Sequence, residues 1–208
     1  MWQKLEPKSC RYEVRKGQKL DCEILRNQEL DAARALINDS IRRQGCRPEL
    51  SQGEWENLLP SHDVFLCRWE NTPVVAHVLM RNPPNRVRLL LSGTVNRSNP
   101  QFHKVVGPLN RRLHWHELLY YKAEGYQCYD FGGSPMEKTS PLYPITQFKL
   151  SFGATVVSEP ILYLAKNPVL RGVLHGIGLA QSALKAVPWP KSWLTAIKTK
   201  PIFAFLRH

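Results

Sequence analysis

Apolar side chains recur along this chain with two periods, and the change from one to the other outlines the elements. From residue 27 to 44, Leu30, Ala33, Leu36, Ile37 and Ile41 fall at helical spacing, with Asn27 placed to cap the helix and Gly45 to end it. Ser51 opens a shorter helix around Trp55, Leu58 and Leu59. Glu54 completes a capping box with Ser51, and Pro60 stops the helix. Continuous apolar runs at 64–69 and 74–80, joined by Glu70-Asn71-Thr72-Pro73, predict a hairpin. Residues 82–85 read as a turn and 87–95 as the next strand, while 20–25 alternate weakly as a first strand. A helix is expected from about Leu109 to Glu124, ended by Gly125, then a strand over 128–131. A short, partly helical stretch at 141–152 and a strand over 155–164, interrupted by Pro160, complete the series.

The order β-α-α-β-β-β-α-β-α-β predicts an α/β (α+β) fold. Its sheet is mixed and mostly antiparallel, with a central β-α-β crossover and flanking helices. A ligand site is expected where the crossover strands part.

The chain changes character after Glu159. The following 49 residues hold no acidic side chain and seven basic ones, Lys166, Arg171, Lys185, Lys191, Lys198, Lys200 and Arg207. Leu170, Val173, Leu174, Ile177, Ala180 and Leu184 share one helical face, and Trp189 and Trp193 follow. The reading is a domain over 1–166 and a basic amphipathic helical tail over 167–208. Two roles stay open for the tail: contact with an anionic membrane surface, or packing on the domain.

Composition narrows the class. With 43% hydrophobic and 22% charged residues the 208-residue chain is globular, and its net charge of +12 points to an anionic partner: a nucleotide cofactor, RNA or a membrane face. Five cysteines without a C-x-x-C pair favour a reduced, cytoplasmic protein, peripheral to the membrane at most.

The chemistry concentrates in residues 107–133, GPLNRRLHWHELLYYKAEGYQCYDFGG. Arg111 and Arg112 stand near a helix start, where a positive charge opposes the helix dipole. An anion bound to free N–H groups there removes the conflict. Asp130 lies on a strand expected to be buried. It serves either as a charge partner or base, or as an acceptor for the Gly132-Gly133 turn. His114 and His116 are two residues apart on a helix and point about 200° from each other, so they do not chelate one metal. His116 is read as a core residue and His114 as the one nearer a ligand, Glu117 as solvated or paired with Lys122 or a nearby arginine, and no metal is expected.

Three motifs in order resemble the FemAB-like branch of the GNAT acyltransferases: the helix LHWHELLYYKAEGY, the strand YDFGG (129–133) and FKLSFGA (148–154). The resemblance covers 107–154. It implies a single-domain GNAT-like acyltransferase whose acyl-CoA co-substrate lies against the start of the central helix. Gly107, Pro108, Leu109, Asn110, Arg111, Arg112 and Leu113 are then the donor-binding residues, with free N–H groups at 109–113 on a pyrophosphate. It further implies Lys149, the lysine of the F-K motif, as a charge-stabilising catalytic residue with Asp130 as its companion. Tyr129, Gly132, Gly133, Phe148 and His114 line the substrate side. The glycine-rich pyrophosphate loop usual in GNAT enzymes is replaced by Val105–Asn110, and only one of the two GNAT-like halves of FemAB enzymes fits in the chain. The acceptor is expected to be an amine of a small molecule or an envelope precursor. Two alternatives remain: transfer from aminoacyl-tRNA, and a non-catalytic membrane or RNA adaptor.

Overall fold

The structure, a computed structural model, describes residues 1–157 except Cys46, residues 83–85 and Ser134. The tail over 167–208 and most of the last expected strand lie outside the described residues; 155–157 form no strand. Met1–Thr155 makes one compact unit.

Five strands form one sheet in sequence order: β1 (Cys22–Arg26), β2 (His62–Trp69), β3 (Thr72–Asn82), β4 (Arg86–Thr94) and β5 (Cys128–Asp130). The first four are antiparallel. Only β4 and β5 run parallel, across the helix α4 (Val106–Ala123). The β2–β3 connection is two residues, Glu70 and Asn71, both at positive φ (50° and 59°), the twist that a tight hairpin requires.

Both faces of the sheet are covered, which is why β2 and β3 read as continuous apolar runs. On one face α2 (Leu30–Gln44) packs Ala33, Ile37 and Ile41 against Val64, Leu66, Ala76 and Val78, with Trp55 of α3 (Gln52–Leu58) beside them. On the other face α4 presents Val106, Leu109, Leu113 and Tyr121 to Phe65, Cys67, Val75, Leu79 and Val87. α3 carries the expected capping box: Ser51 accepts from the Glu54 amide, and Glu54 accepts from that of Ser51.

Three elements differ from expectation. Asn27 does not cap α2. The helix begins at Leu30 after Glu29, and Asn27 instead ties β1 to β2 through the Val64 amide (2.8 Å) and the Asp63 carboxylate (3.0 Å). α4 begins at Val106, because residues 99–105 form successive turns that lead into it. The chain opens with a helical stretch that the pattern did not reveal: turns over Trp2–Lys4 and Pro7–Arg11, then α1 (Tyr12–Gln18). α1 lies on the start of α4, and a side chain at Gly17 would come 2.5 Å from the Pro108 carbonyl oxygen. Its Val14, with Leu5 and Cys10, joins Trp115, Phe131 and Phe152 in a third apolar cluster beside α5 (Tyr143–Ser151). Among the described residues no helix is long and apolar enough to cross a membrane.

Candidate active site

β5 pairs with β4 for only three residues, Cys128–Asp130 against Arg86–Arg88. Beyond that point β4 runs on to Thr94 with no strand on that edge among the described residues. The chain leaves β5 through Phe131 and Gly132. Gly132 has φ +74° and sits so close to β4 that a Cβ there would lie 3.2 Å from the Leu89 carbonyl oxygen. Both conditions select glycine.

Asp130 and Lys149 meet at this fork. The Asp130 carboxylate accepts from the Gly132 amide (2.8 Å) and from Arg86 (2.5 Å), with Arg88 at 3.4 Å. Burial opposes its ionisation, but the hydrogen bonds from Arg86 and Gly132 and the two arginine charges hold it below the usual carboxylate range. Lys149, on α5, donates to the carbonyl oxygens of Gly132 (3.1 Å) and Gly133 (2.6 Å). Two of its three ammonium protons are thereby used. Burial lowers its pKa and the nearby Arg88 adds to that, while Asp130 works against it. The next residue back, Phe148, lies under Arg111, whose guanidinium carbon stands 4.5 Å from the ring centre. Arg111 is pushed below its ordinary value by burial, and its Nη1 is buried with no hydrogen-bond partner among the described residues. Beside the ionised carboxylate, a half-buried ammonium and an unsatisfied guanidinium nitrogen give this fork donors for a developing negative charge.

The start of α4 is built differently from expectation. The Leu109 amide donates to Val105, the Val106 amide to Phe102, and Pro108 has no N–H. Because the helix opens at Val106, the amides of 110–113 lie inside it and donate within it. The N–H groups at 109–113 are therefore not the free donors anticipated for a pyrophosphate. Arg112 is also committed elsewhere: it donates to the carbonyls of Gly17 (3.0 Å), Leu20 (2.7 Å) and Cys22 (3.4 Å), clasping α1 and β1 to α4. Arg111 alone of the pair turns toward α5.

A second polar group lies behind the fork, sealed in the core. Glu117 is fully buried, and so is His77 of β3, whose Nδ1 is 2.7 Å from Glu117 Oε1 and whose Nε2 is 3.0 Å from Asn110 Oδ1. Tyr129 donates its hydroxyl proton to the other Glu117 oxygen at 2.6 Å, and the same hydroxyl is 3.0 Å from His114 Nδ1. Burial alone would raise the Glu117 pKa, but His77 and the hydrogen bonds from His114 and His77 bring it down to about 2. His114 falls to about 4 because it is buried and beside His77.

His114, expected on the substrate side, is thus 2% exposed and enclosed by His77, Phe131, Phe148 and Phe152, while His116 is the exposed one of the pair. Glu117 is not solvated: it follows Leu109 and Leu113 at four-residue steps and so faces the sheet. The Tyr129 hydroxyl likewise points into this cluster. Sequence reasoning missed His77, Arg86 and Arg88. The signal for Glu117 and His77 was present, a polar residue in phase with a buried stripe and another amid an apolar strand. Among the described residues His77, His114 and Glu117 could also hold a metal ion, their ligand atoms lying within 4.8 Å of one another, but each Glu117 oxygen already has a partner.

No protein-family model and no curated protein sequence matches this chain. Solved structures do. FemX superposes with a TM-score of 0.62 at 14% identity, over 73% of this chain and 55% of that one. The C-terminal domain of a putative lysylphosphatidylglycerol synthetase from Agrobacterium fabrum gives 0.53 at 13%, over 71% and 51%. The aminoglycoside-type enzyme AAC(6')-Iy, in complex with a CoA-based bisubstrate analogue, gives 0.50 at 13%, over 70% and 99%. The chain spans about half the length of the first two. The fold is that of the GNAT-type acyltransferases, with FemAB-like relatives among its structural neighbours.

Proposed function

We propose that this protein is an acyltransferase that moves an acyl group directly onto an amine, with the fork between β4 and β5 as its active site. The observation that carries the reading is Lys149, half-buried beside ionised Asp130, with its ammonium on the Gly132-Gly133 carbonyls where the two strands part. The acyl carbon of the donor would lie against the open edge of β4 beyond Arg88. Attack by the amine builds an oxyanion; its collapse expels the leaving group, which takes up the proton that the amine gives up. Lys149 has one proton left to offer the oxyanion, and Arg111 can face the anionic end of the donor. Asp130 has its oxygens occupied by Arg86 and Gly132, which suits it to hold the turn and the ammonium rather than to take the proton.

Acyl-CoA is the first reading for the donor, supported by the CoA-based ligand of the AAC(6')-Iy neighbour. A second reading, an aminoacyl ester carried on tRNA, is favoured by the committed amides at the start of α4 and by the net charge of +12. The acceptor would be an amine of a small molecule or envelope precursor at the cytoplasmic face of the membrane, with the basic tail as the membrane-facing part. Isothermal titration with acetyl-CoA and longer acyl-CoAs tests the first donor, and tRNA retention at two salt concentrations tests the second. Acyl-CoA binding that is lost in Arg111→Ala supports the reading. A folded protein that binds neither donor overturns it.

A further inference from the structure

Cys22 and Cys67 form a thiol pair that the acyl-transfer reading does not use. Cys22 opens β1, which lies at the edge of the sheet, and Cys67 lies on β2. The register pairs Cys67 with Ile24, so the two cysteines sit two positions apart on the same face of the ladder. Their sulfurs are 3.4 Å apart, with the Cys67 thiol donating to Cys22. A disulfide needs about 2.05 Å, so roughly 1.4 Å remains to be closed. Among the described residues β1 has a strand partner on one side only, and β2 is irregular between Cys67 and Arg68, so the movement falls on the parts of the sheet least held.

The two sulfurs are unequal. Cys22 is half-buried, whereas Cys67 is wholly buried. The hydrogen bond from Cys67 favours the Cys22 thiolate, burial opposes it, and the Arg112 charge favours it again, with a net lowering of its pKa. The same hydrogen bond, together with burial, keeps Cys67 a thiol. One sulfur is thus the more accessible and the more nucleophilic, and the other is held against it as a resolving group.

We propose that Cys22 and Cys67 are a reversible modification site, which a hydroperoxide converts into an intramolecular disulfide. The Cys22 thiolate attacks the terminal peroxide oxygen, the O–O bond breaks, and Cys22 becomes a sulfenic acid while the leaving oxygen departs as alkoxide or hydroxide. The Cys67 sulfur then attacks the Cys22 sulfur. The S–O bond breaks, and the hydroxyl leaves with the Cys67 proton as water. The two sulfurs give up two electrons in total and the peroxide takes both. A dithiol reductant reverses the bond.

The test uses the full chain treated with hydrogen peroxide, alkylated, and digested without reduction. The expected result is a peptide joining Cys22 to Cys67, lighter by two hydrogens and cleaved by dithiothreitol, with the melting temperature of the oxidised protein raised by about 10 °C. Cys67→Ala is expected to leave Cys22 as a sulfenic acid that dimedone traps. Should that buried substitution prevent folding, Cys22→Ser, in which neither cross-link nor dimedone adduct forms at residue 67, serves in its place. Cys128 is exposed and reports that oxidation took place. The proposal is overturned if Cys22 and Cys67 both remain alkylatable once Cys128 is oxidised, or if Cys22 passes to sulfinic acid in the unaltered protein with no cross-link.

Discussion

Glu117 and Asp130 are both carboxylates held below the usual range by donors around them, and they stand on adjoining elements, yet their surroundings differ in kind. The Glu117 side chain has no exposure and the Asp130 side chain keeps 17%. Around Glu117 the acceptors are matched: His77 takes one oxygen and Tyr129 the other, and aromatic rings close the cluster. Around Asp130 not every donor is matched: Arg88 stands at 3.4 Å, Lys149 keeps one proton beyond the two it gives to carbonyls, and Arg111, over Phe148, has a nitrogen without a partner among the described residues. A closed, matched group stabilises one structure. A half-open group with donors to spare is the one able to stabilise charge that arrives later. Perturbed carboxylates alone would not have separated the two; exposure and the matching of donors to acceptors do.

Breaking the closed cluster gives the largest effect. Glu117→Gln leaves an amide nitrogen facing His77 and is expected to cost about 3–5 kcal/mol of stability, read as a fall in the denaturation midpoint. If the midpoint is unchanged, the cluster is not a matched buried network.

The fork is expected to behave oppositely. Lys149→Ala should lower the rate of acyl transfer by about 100-fold or more, while removal of its two hydrogen bonds to carbonyl oxygens costs only about 1–2 kcal/mol of stability. As an ammonium whose pKa is lowered, Lys149 should also set an alkaline limb below the ordinary lysine value of about 10.4. Lys149→Arg should move that limb upward. Equal losses of rate and stability would erase the distinction between the two regions.

Acid separates them further. His114 has a folded pKa of about 4 against an ordinary 6.5, so between these values the unfolded chain binds the proton and the folded one does not; stability falls as pH drops through that window. Glu117, at about 2 against 4.5, contributes stability that is present above 4.5 and lost as pH falls toward 2. A melting series from pH 7 to 3 should decline throughout, and His114→Phe should remove the upper part of the decline. A flat series would mean that these groups exchange protons alike in both states.

The smallest effect calibrates the rest. Ser51→Ala removes the cap of α3, outside both clusters, and is expected to cost about 1 kcal/mol with no change in transfer rate.

Much of the frame was legible in the chain because it rests on local rules. The Ser51–Glu54 box, the apolar stripe of α2 and the Glu70-Asn71 turn each have a signature within a few residues. The parts that were not legible depend on partners distant in sequence. Arg112 looks like an anion-binding residue near a helix start until Gly17, Leu20 and Cys22 bring their carbonyls to it from some ninety residues away. Asn27 has the right type and place for a cap, but a strand edge at Val64 competes for its oxygen. Glu117 reads as solvated because carboxylates usually are, and His77, Tyr129 and His114 make its burial tolerable. The opening helical stretch was hidden because its short apolar set, Leu5, Cys10 and Val14, has meaning only against Trp115 and Phe152. At the fork the motif residues Asp130, Gly132, Gly133 and Lys149 were marked by the resemblance and stand together in space, while Arg86 and Arg88 carry no local mark.

The central claim is that the fork between β4 and β5 receives the acyl donor. Amide chemical-shift mapping of the full chain titrated with acetyl-CoA tests it most directly. The account predicts saturable shifts centred on Leu89–Ser92 of β4, on Gly132 and Gly133, and on the backbone around Lys149. Saturable binding that leaves those amides unmoved, with its shifts gathered elsewhere, would contradict it.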